Sequence, residues 1–228
     1  RVNNFKQAKE IIKNLNYKGC SLSMPFKESC YSLIDYKDSI TRSCRSINTI
    51  LKKNNKLYGF NTDYYAAKRI FENNKFDNKT SVLLLGNGGV ARTIYSLILK
   101  KKMKKVFLIS KNLNKFEKWK CAKNHKVLSW KKIRNINVDL LINATPIGMF
   151  GQSNEPSIIT NKKNFFLKYI YDLPVNKKNK LSIYAKKHKI KYISGLESSF
   201  YQALKQFEIY NKTKLNEKKM KSKLTYSF

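Results

Sequence analysis

The stretch "SVLLLGNGGVART", residues 81–93, runs from an apolar segment through three glycines to the start of a helix. The run that ends at Gly86 predicts a buried strand, and "VARTIYSLILKK", residues 90–101, predicts a helix behind the turn. Gly86, Gly88 and Ala91 have the spacing G-x-G-x-x-A, in which glycine permits a tight turn and close approach of the backbone to a pyrophosphate. Free N–H groups at the helix N-terminus favour the same anion. The stretch predicts a dinucleotide-binding turn, with an ordinary strand-to-helix turn as the alternative.

Strands and helices continue to alternate on the C-terminal side of this turn. Because strands that alternate with helices form βαβ units, the pattern predicts an α/β fold, a doubly wound parallel sheet with helices on both faces. The predicted strands are "KVFLIS" (105–110), "KVLSW" (126–130), "VDLLIN" (138–143), "KYIYDL" (168–173) and "IKYIS" (190–194), and the predicted helices are "LNKFEKWKCA" (113–122), "KLSIYAKKH" (180–188) and a last long one from about Ser199 to Tyr210.

The N-terminal third of the chain has a different pattern, which ends in the polar residues 74–80. Apolar residues at helical spacing predict a helix from Asn3 to Leu15, and "KLYGF" and "SINTIL" predict a hairpin around "KKNN". The remaining predictions are a short strand "CSLSM" (20–24), a helix "FKESCYSLID" (26–35) and a helix "NTDYYAAKRIF" (61–71).

The composition excludes several classes of function. The 228 residues include 48 lysines and arginines against 14 acids, but these cations are spread along the whole chain, so we expect a solvated surface and no nucleic-acid partner. Nucleic-acid binding through the net charge of +34 is the alternative. The four cysteines and two histidines have no metal-ligand spacing, which predicts no metal. No apolar run has the roughly 18 residues of a membrane span, so we expect no membrane partner and reduced thiols in the cytoplasm.

The end of the second predicted strand indicates which dinucleotide is bound. About 20 residues past the glycines, NAD sites place an acid for the ribose hydroxyls. Here the sequence has Ser110, Lys111, Asn112 and Lys115. Since lysines attract a 2′-phosphate and a carboxylate would repel it, these residues favour NADP over NAD.

Six motifs occur along the chain: "SMPFK" (23–27), "SINTI" (46–50), "GFNTD" (59–63), "GNGGVAR" (86–92), "NATPIGM" (143–149) and "GLESSFYQALKQF" (195–207). In order and spacing they resemble the motifs of the shikimate dehydrogenase family. The resemblance runs from about Phe5 to Tyr210 and implies a substrate domain joined to a Rossmann-type domain. The expected boundaries are a substrate-binding and catalytic domain over 1–79, an NADP-binding domain over 80–195, and over 196–228 a helix that returns to the substrate domain, followed by a basic tail.

The resemblance implies Lys27 and Asp63 as the catalytic pair of an NADPH-dependent reduction of 3-dehydroshikimate to shikimate. Reducing a ketone needs a proton donor at its oxygen, and a lysine beside a carboxylate can serve. The resemblance also implies that Ser23, Asn48 and Gln202 bind the substrate. The implied cofactor-binding residues are Gly86, Asn87, Gly88, Gly89, Val90, Ala91, Ser110, Lys111, Asn112, Lys115, Asn143, Ala144, Thr145, Met149 and Gly195.

Structural readings of the same residues stay open. Asn48 could be a turn residue, Gln202 an exposed helix position, and Asp63 a charge that stabilises a helix N-terminus. Asn143 and Thr145 could cap a turn without contacting a ligand.

The chain also departs from the family pattern. It starts in the helix after the family's first strand and its two carboxylate-binding serines, so we expect a truncated start. Ser21 replaces the family's asparagine, Val175 a tyrosine and Ser198 a methionine. These changes leave open a shikimate/quinate-type enzyme, a paralogue acting on another hydroxy acid, and a non-catalytic cofactor-binding relative. The expected assembly is a monomer or homodimer.

Overall fold

Two separate β-sheets organise the molecule. The computed structural model describes residues 2–14, 16–130, 136–149, 166–175 and 180–224. In these ranges, four strands form a mixed sheet in the N-terminal third and six strands form a second sheet in the rest of the chain.

The mixed sheet is built around the predicted hairpin, which is confirmed. β3 (Thr49–Lys53) and β4 (Lys56–Phe60) pair antiparallel through Asn54 and Asn55, both in the left-handed region that asparagine tolerates. β1 (Gly19–Ser21) adds antiparallel to β3, and the two-residue β2 (Tyr36–Lys37) adds parallel to β4.

The helices of this part are α1 (Phe5–Asn14), α2 (Phe26–Ser29), α3 (Ser39–Cys44) and α4 (Thr62–Asn73). The predicted end of α1 at Leu15 lies outside the described residues.

The single helix predicted over 26–35 is wrong. Only its first turn is α-helical, and residues Cys30–Leu33 form a 3₁₀ turn before the chain becomes extended at Ile34. The reason is tertiary: the Asp35 N–H donates to the Leu57 carbonyl at 3.0 Å, and the Asp35 carboxylate accepts from the Leu57 N–H at 2.8 Å. Contacts with the hairpin therefore outweigh the helical pattern of the local sequence.

The second sheet is fully parallel, which confirms the predicted fold class. Its strand order is β10-β9-β8-β5-β6-β7, the 3-2-1-4-5-6 order of dinucleotide-binding folds. The order reverses between β5 and β8, the place where such sheets bind ligands. The strands are β5 (Val82–Leu85), β6 (Val106–Ser110), β7 (Lys126–Ser129), β8 (Leu140–Asn143), β9 (Tyr169–Asp172) and β10 (Lys191–Ser194).

Helices of the second part are α5 (Gly89–Lys100), α6 (Asn114–Glu117), α7 (Lys180–Lys187), α8 (Gly195–Asn211) and α9 (Glu217–Leu224). The helix predicted over 113–122 is wrong in length, because α6 ends after four residues. Beyond it Trp119 turns into the core, where it stacks on Tyr95 with ring centroids 5.4 Å apart. The last long helix begins four residues earlier than predicted, with the Ser194 side chain as its cap.

The C-terminal helices pack back onto the first part of the chain. α8 lies along α4, and its Tyr201 hydroxyl accepts a hydrogen bond from Asn73 at 2.8 Å. α9 is held to α4 by a two-pronged ion pair between Arg69 and Glu217, at 2.7 and 2.8 Å. α8 also contacts a strand of each sheet, β3 and β10.

Candidate active site

A lysine and an aspartate from different elements meet between the two sheets. Lys27 on α2 donates to Asp63 in the first turn of α4, with Nζ and Oδ2 2.7 Å apart. Their side chains are 13% and 10% exposed. The Ile47 N–H fixes the Lys27 carbonyl at 2.8 Å. The predicted catalytic pair is therefore close and largely shielded, yet still reachable from solvent.

Asn61 positions Asp63 by capping α4. Its side-chain oxygen accepts from the Tyr64 N–H at 3.0 Å, as an N-cap does. Its amide donates to the Ser46 carbonyl at 2.8 Å and to the Thr93 hydroxyl of α5 at 2.9 Å. One buried side chain thus ties the start of α4 to the helix behind the glycine turn.

Asn48 braces the same helix start from the other side. Its Oδ1 accepts from the Thr62 N–H at 2.8 Å, and its amide donates to the Thr62 hydroxyl at 3.0 Å. Asn48 is fully buried. Its observed contacts are structural, and its predicted role toward a substrate hydroxyl remains a prediction.

Gln206 is a residue that the sequence reasoning missed. From α8 it donates to the Asn48 carbonyl at 3.2 Å and to the Thr49 hydroxyl at 2.9 Å. It lies one helical turn after Gln202, which is half-buried on the same helix. Because positions i and i+4 share a helix face, this spacing was the signal that could have identified Gln206.

The glycine turn lies directly beside the lysine. Gly86, at φ +109°, would place a Cβ 2.8 Å from the Ala144 carbonyl oxygen, so β5 and β8 can end this close only with glycine there. A Cβ on Gly89 would lie 2.8 Å from Ser46 Oγ and 3.2 Å from Lys27 Cβ. The first turn of α5 thus packs against the segment that carries the lysine.

A cavity of about 370 Å³ opens at the reversal point of the parallel sheet. A Cβ on Gly88 would meet no atom within 4 Å, so the backbone here faces open space that a ligand can approach. Met24, next to the lysine motif, forms part of the wall. Of the predicted cofactor residues, the cavity is lined by Gly86, Asn87, Gly88, Ser110, Lys111, Ala144 and Thr145. These residues fit a dinucleotide, with the glycine turn for its pyrophosphate and Lys111 for a phosphate on the ribose.

Asn143 shapes the rim of this cavity. Its Oδ1 accepts from the Thr145 N–H and hydroxyl at 3.1 and 2.6 Å, and its amide donates to the Ile147 carbonyl and to Asp172. The side chain is buried. Asn143 therefore braces the turn, as the structural reading of the sequence allowed, and Thr145 and Ala144 face the cavity.

The other predicted site residues lie at or beyond its edge. Asn112 accepts a hydrogen bond from the Asn87 amide through its carbonyl, while Lys115 and Met149 are exposed. Ser23 is exposed in the turn before α2.

Three further predicted cofactor residues serve packing. Ala91 is fully buried against the sheet and Val90 is half-buried beside it. A Cβ on Gly195 would lie 2.2 Å from the Leu173 carbonyl oxygen, so this glycine is required by a close approach of backbone.

Ser198 and Val175, two residues that differ from the family pattern, lie in different surroundings. Ser198 is buried and shares a 2.7 Å hydrogen bond with the Tyr171 hydroxyl, which explains a polar residue at this position. Burial raises the pKa of Tyr171, and the carboxylate of Asp63 acts in the same direction. Val175 is 45% exposed.

Among the described residues, no cluster of three or more histidine, cysteine, aspartate or glutamate side chains could hold a metal ion. In the same part of the chain, every helix is too short or too polar to span a membrane.

The fold and the site define a Rossmann-type α/β protein with a second, smaller sheet, in which a lysine and a carboxylate from two helices of the N-terminal part pair beside a dinucleotide-binding turn. Residues 1–50 match the family model described as the shikimate dehydrogenase substrate binding domain. The chain is 31% identical over 215 residues to the shikimate dehydrogenase (NADP(+)) of Clostridium beijerinckii, which covers 92% of this chain and 77% of that protein. The chain belongs to the shikimate dehydrogenase family.

Other similar proteins agree with this assignment. A shikimate dehydrogenase-like protein of Haemophilus influenzae is 27% identical, covering 87% of this chain and 73% of that protein. The crystal structure of shikimate dehydrogenase from Aquifex aeolicus aligns with a TM-score of 0.77 at 27% identity, over 95% of this chain and 81% of that one.

Proposed function

We propose that this protein is a shikimate dehydrogenase that interconverts 3-dehydroshikimate and shikimate with NADP(H), in the cytoplasm, on the route to chorismate and the aromatic amino acids. One observation carries the proposal: the Lys27–Asp63 pair lies against the first turn of α5, the helix that follows the dinucleotide-binding turn. A proton donor and a hydride donor can act on one carbonyl group only when their sites are adjacent.

In the direction of reduction, the Lys27 ammonium donates a proton to the carbonyl oxygen of the substrate. Asp63 accepts from Lys27 Nζ at 2.7 Å and so fixes the direction of the ammonium. Its own position is set by the Asn61 cap and the Asn48 brace at the start of α4. NADPH held at the glycine turn would supply the hydride for the carbonyl carbon. In shikimate oxidation, Lys27 takes the proton back from the hydroxyl.

The cofactor preference follows from the end of β6. Ser110 and Lys111 line the cavity there, and Asn112 and Lys115 follow on the exposed side. Since the described residues at these positions include no carboxylate, a 2′-phosphate meets attraction without repulsion. The relative from Clostridium beijerinckii is named as an NADP(+) enzyme, which supports the same choice.

Substrate binding uses the positive charge of Lys27, with Ser23, Asn48 and Gln202 as hydroxyl partners. The proposed domains have the predicted boundaries: residues 1–79 bind the substrate, residues 80–195 bind NADP(H), and the helix in residues 196–228 packs back on the substrate domain. Because one chain supplies every one of these residues, the proposal fits a monomer or a homodimer.

The test replaces Lys27→Met, which keeps the length of the side chain and removes the proton donor. We expect turnover of shikimate, followed by the absorbance of NADPH, to fall by roughly 10²–10⁴-fold. Binding of NADP(+), followed by calorimetry, should change little. The matched control is Lys9→Met, at an exposed position on α1, which should keep full activity.

Equal turnover by the two variants would refute the assignment of Lys27. Quinate is run beside shikimate, because Val175 and Ser198 depart from the family pattern. Faster turnover of quinate than of shikimate would favour a quinate-type enzyme. Tight NADP(+) binding without turnover of either compound would favour a non-catalytic relative.

A further inference from the structure

A second cavity, of about 270 Å³, lies between α3, α5 and the segment that follows α6. It has no lining residue in common with the cavity at the glycine turn, within the described ranges. Half of its ten lining residues are cations, and among the described lining residues there is no aspartate or glutamate. The cations are Arg42, Arg45, Arg92, Lys118 and Lys120.

The arginines that line this second cavity are unusual in so lysine-rich a chain. Its 48 cations are 42 lysines and six arginines, so arginine is the exception in a lysine-rich composition. Three of the six arginines line this one cavity. Arginine presents a rigid fork of N–H donors that matches the oxygens of phosphate, whereas lysine is a mobile point charge. The general excess of lysine on the surface therefore does not account for this cluster.

Arg92 is the member most withdrawn from solvent. Burial lowers the pKa of its guanidinium below the usual range, Glu28 opposes this shift, and the neighbouring charge of Arg45 adds to it. Its described hydrogen bond is a long one, 3.5 Å to the Lys118 carbonyl. Most N–H groups of the Arg92 guanidinium thus have no hydrogen-bond acceptor among the described residues. A half-buried cation that lies among other cations favours an anionic ligand.

We infer that this cavity is a binding site for a small polyanion that carries two phosphoryl groups. Its volume equals that of about nine water molecules in the liquid, which is room for a diphosphate. Arg42 lies on α3, Arg45 directly follows it, and Arg92 lies on α5 behind the glycine turn. The ligand bridges these two parts of the molecule.

The test is a calorimetric titration with inorganic pyrophosphate, repeated with saturating NADP(+). The glycine turn also fits pyrophosphate. In the titration with saturating NADP(+), that turn is occupied, so pyrophosphate binding reports the second cavity. We expect one pyrophosphate per chain to bind in the presence of NADP(+). Complete loss of pyrophosphate binding on adding NADP(+) would overturn the inference. If the protein does not bind NADP(+) at all, the proposed function fails, but the variants below still test this cavity.

The variants remove two charges at a time. Arg45→Asn with Arg92→Gln should raise the Kd for pyrophosphate at least about tenfold; asparagine is chosen because residue 45 has a left-handed backbone, φ 46°. The matched control, Lys186→Gln with Lys187→Gln at exposed positions on α7, should change the Kd less than about twofold. Equal losses in both would show a general charge effect and overturn the site.

Lys118→Gln with Lys120→Gln is a second test that does not depend on the arginine variant folding, since both lysines are exposed. It should weaken pyrophosphate binding about threefold or more, and an unchanged Kd would count against the site. Titration with ADP identifies the source of the diphosphate group. ADP binding at least as tight as pyrophosphate assigns the site to nucleotides, and weaker ADP binding assigns it to the inorganic ion.

Discussion

Replacing Asn61 by alanine should destabilise the protein more than any ordinary loss of a helix cap. The substitution removes the cap on the Tyr64 N–H, and it also removes the two amide donations to Ser46 and Thr93. A lost cap costs about 1 kcal/mol. Each lost buried hydrogen bond costs about another 1 kcal/mol, because its buried acceptor loses a donor that water does not replace. The free energy of unfolding should therefore fall by about 3 kcal/mol.

Asp38→Ala provides the matched control. Asp38 caps α3 through the Thr41 N–H at 2.6 Å, and its side chain is exposed. This variant loses a cap alone and should cost about 1 kcal/mol. Urea denaturation followed by circular dichroism measures both. If Asn61→Ala costs no more than Asp38→Ala, the two amide donations contribute nothing and the reasoning is wrong.

Four other outcomes follow from contacts described above. Gly195→Ala should lower the free energy of unfolding by about 3 kcal/mol because its Cβ would meet the Leu173 oxygen at 2.2 Å, and a melting temperature like that of the unchanged protein would refute this. Gly88→Ala, with open space around its Cβ, should melt normally yet bind NADP(+) about tenfold more weakly by calorimetry; unchanged affinity would argue against a ligand at this turn. Burial would raise the pKa of Asp139, but hydrogen bonds from Lys168 and Ser81 outweigh it and hold the pKa at about 2. Because the pKa is lower in the folded state, the ionised Asp139 stabilises the protein above about pH 4, and this stabilisation is lost as the pH falls toward 2. Asp139→Asn should therefore be less stable than the unchanged protein at neutral pH and equal to it near pH 2. A difference in the free energy of unfolding that does not change with pH would contradict this. Glu217→Gln should speed hydrogen exchange in α9 without changing turnover, and unchanged exchange would show that its ion pair with Arg69 does not hold this helix.

The glycine turn and the parallel sheet could be predicted because their signals are local. Apolar runs such as "VLLL" are buried on both faces in a parallel sheet, and Gly86 has a backbone conformation that strongly favours glycine. Right-handed connections limit the possible strand orders, but the order itself was known only from the structure.

The elements that sequence reasoning missed are those made by distant contacts. α3, "SITRSC", has poor helix formers and exists through the Asp38 cap and the burial of Thr41 and Cys44. α9 depends on an arginine nearly 150 residues away, which no local pattern reveals. In the same way, the sequence could propose Lys27 and Asp63 as partners only through the family resemblance, while Gln206 and the bracing role of Asn143 needed the fold.

The chain crosses from one sheet to the other twice, after α4 and again through α8, and the two crossings lie side by side. The 2.8 Å hydrogen bond between Asn73 and Tyr201 joins them. The two covalent connections between the halves therefore lie at one place, while the approach of Gly89 to Lys27 is held by packing and by the hydrogen bond from Asn61 to Thr93 of α5. Bending at the double crossing would separate the proton donor from the dinucleotide turn without breaking a strand pair in either sheet. Any bending between the two sheets would therefore act on α4 and α8, the two helices that also carry Asp63 and Gln202.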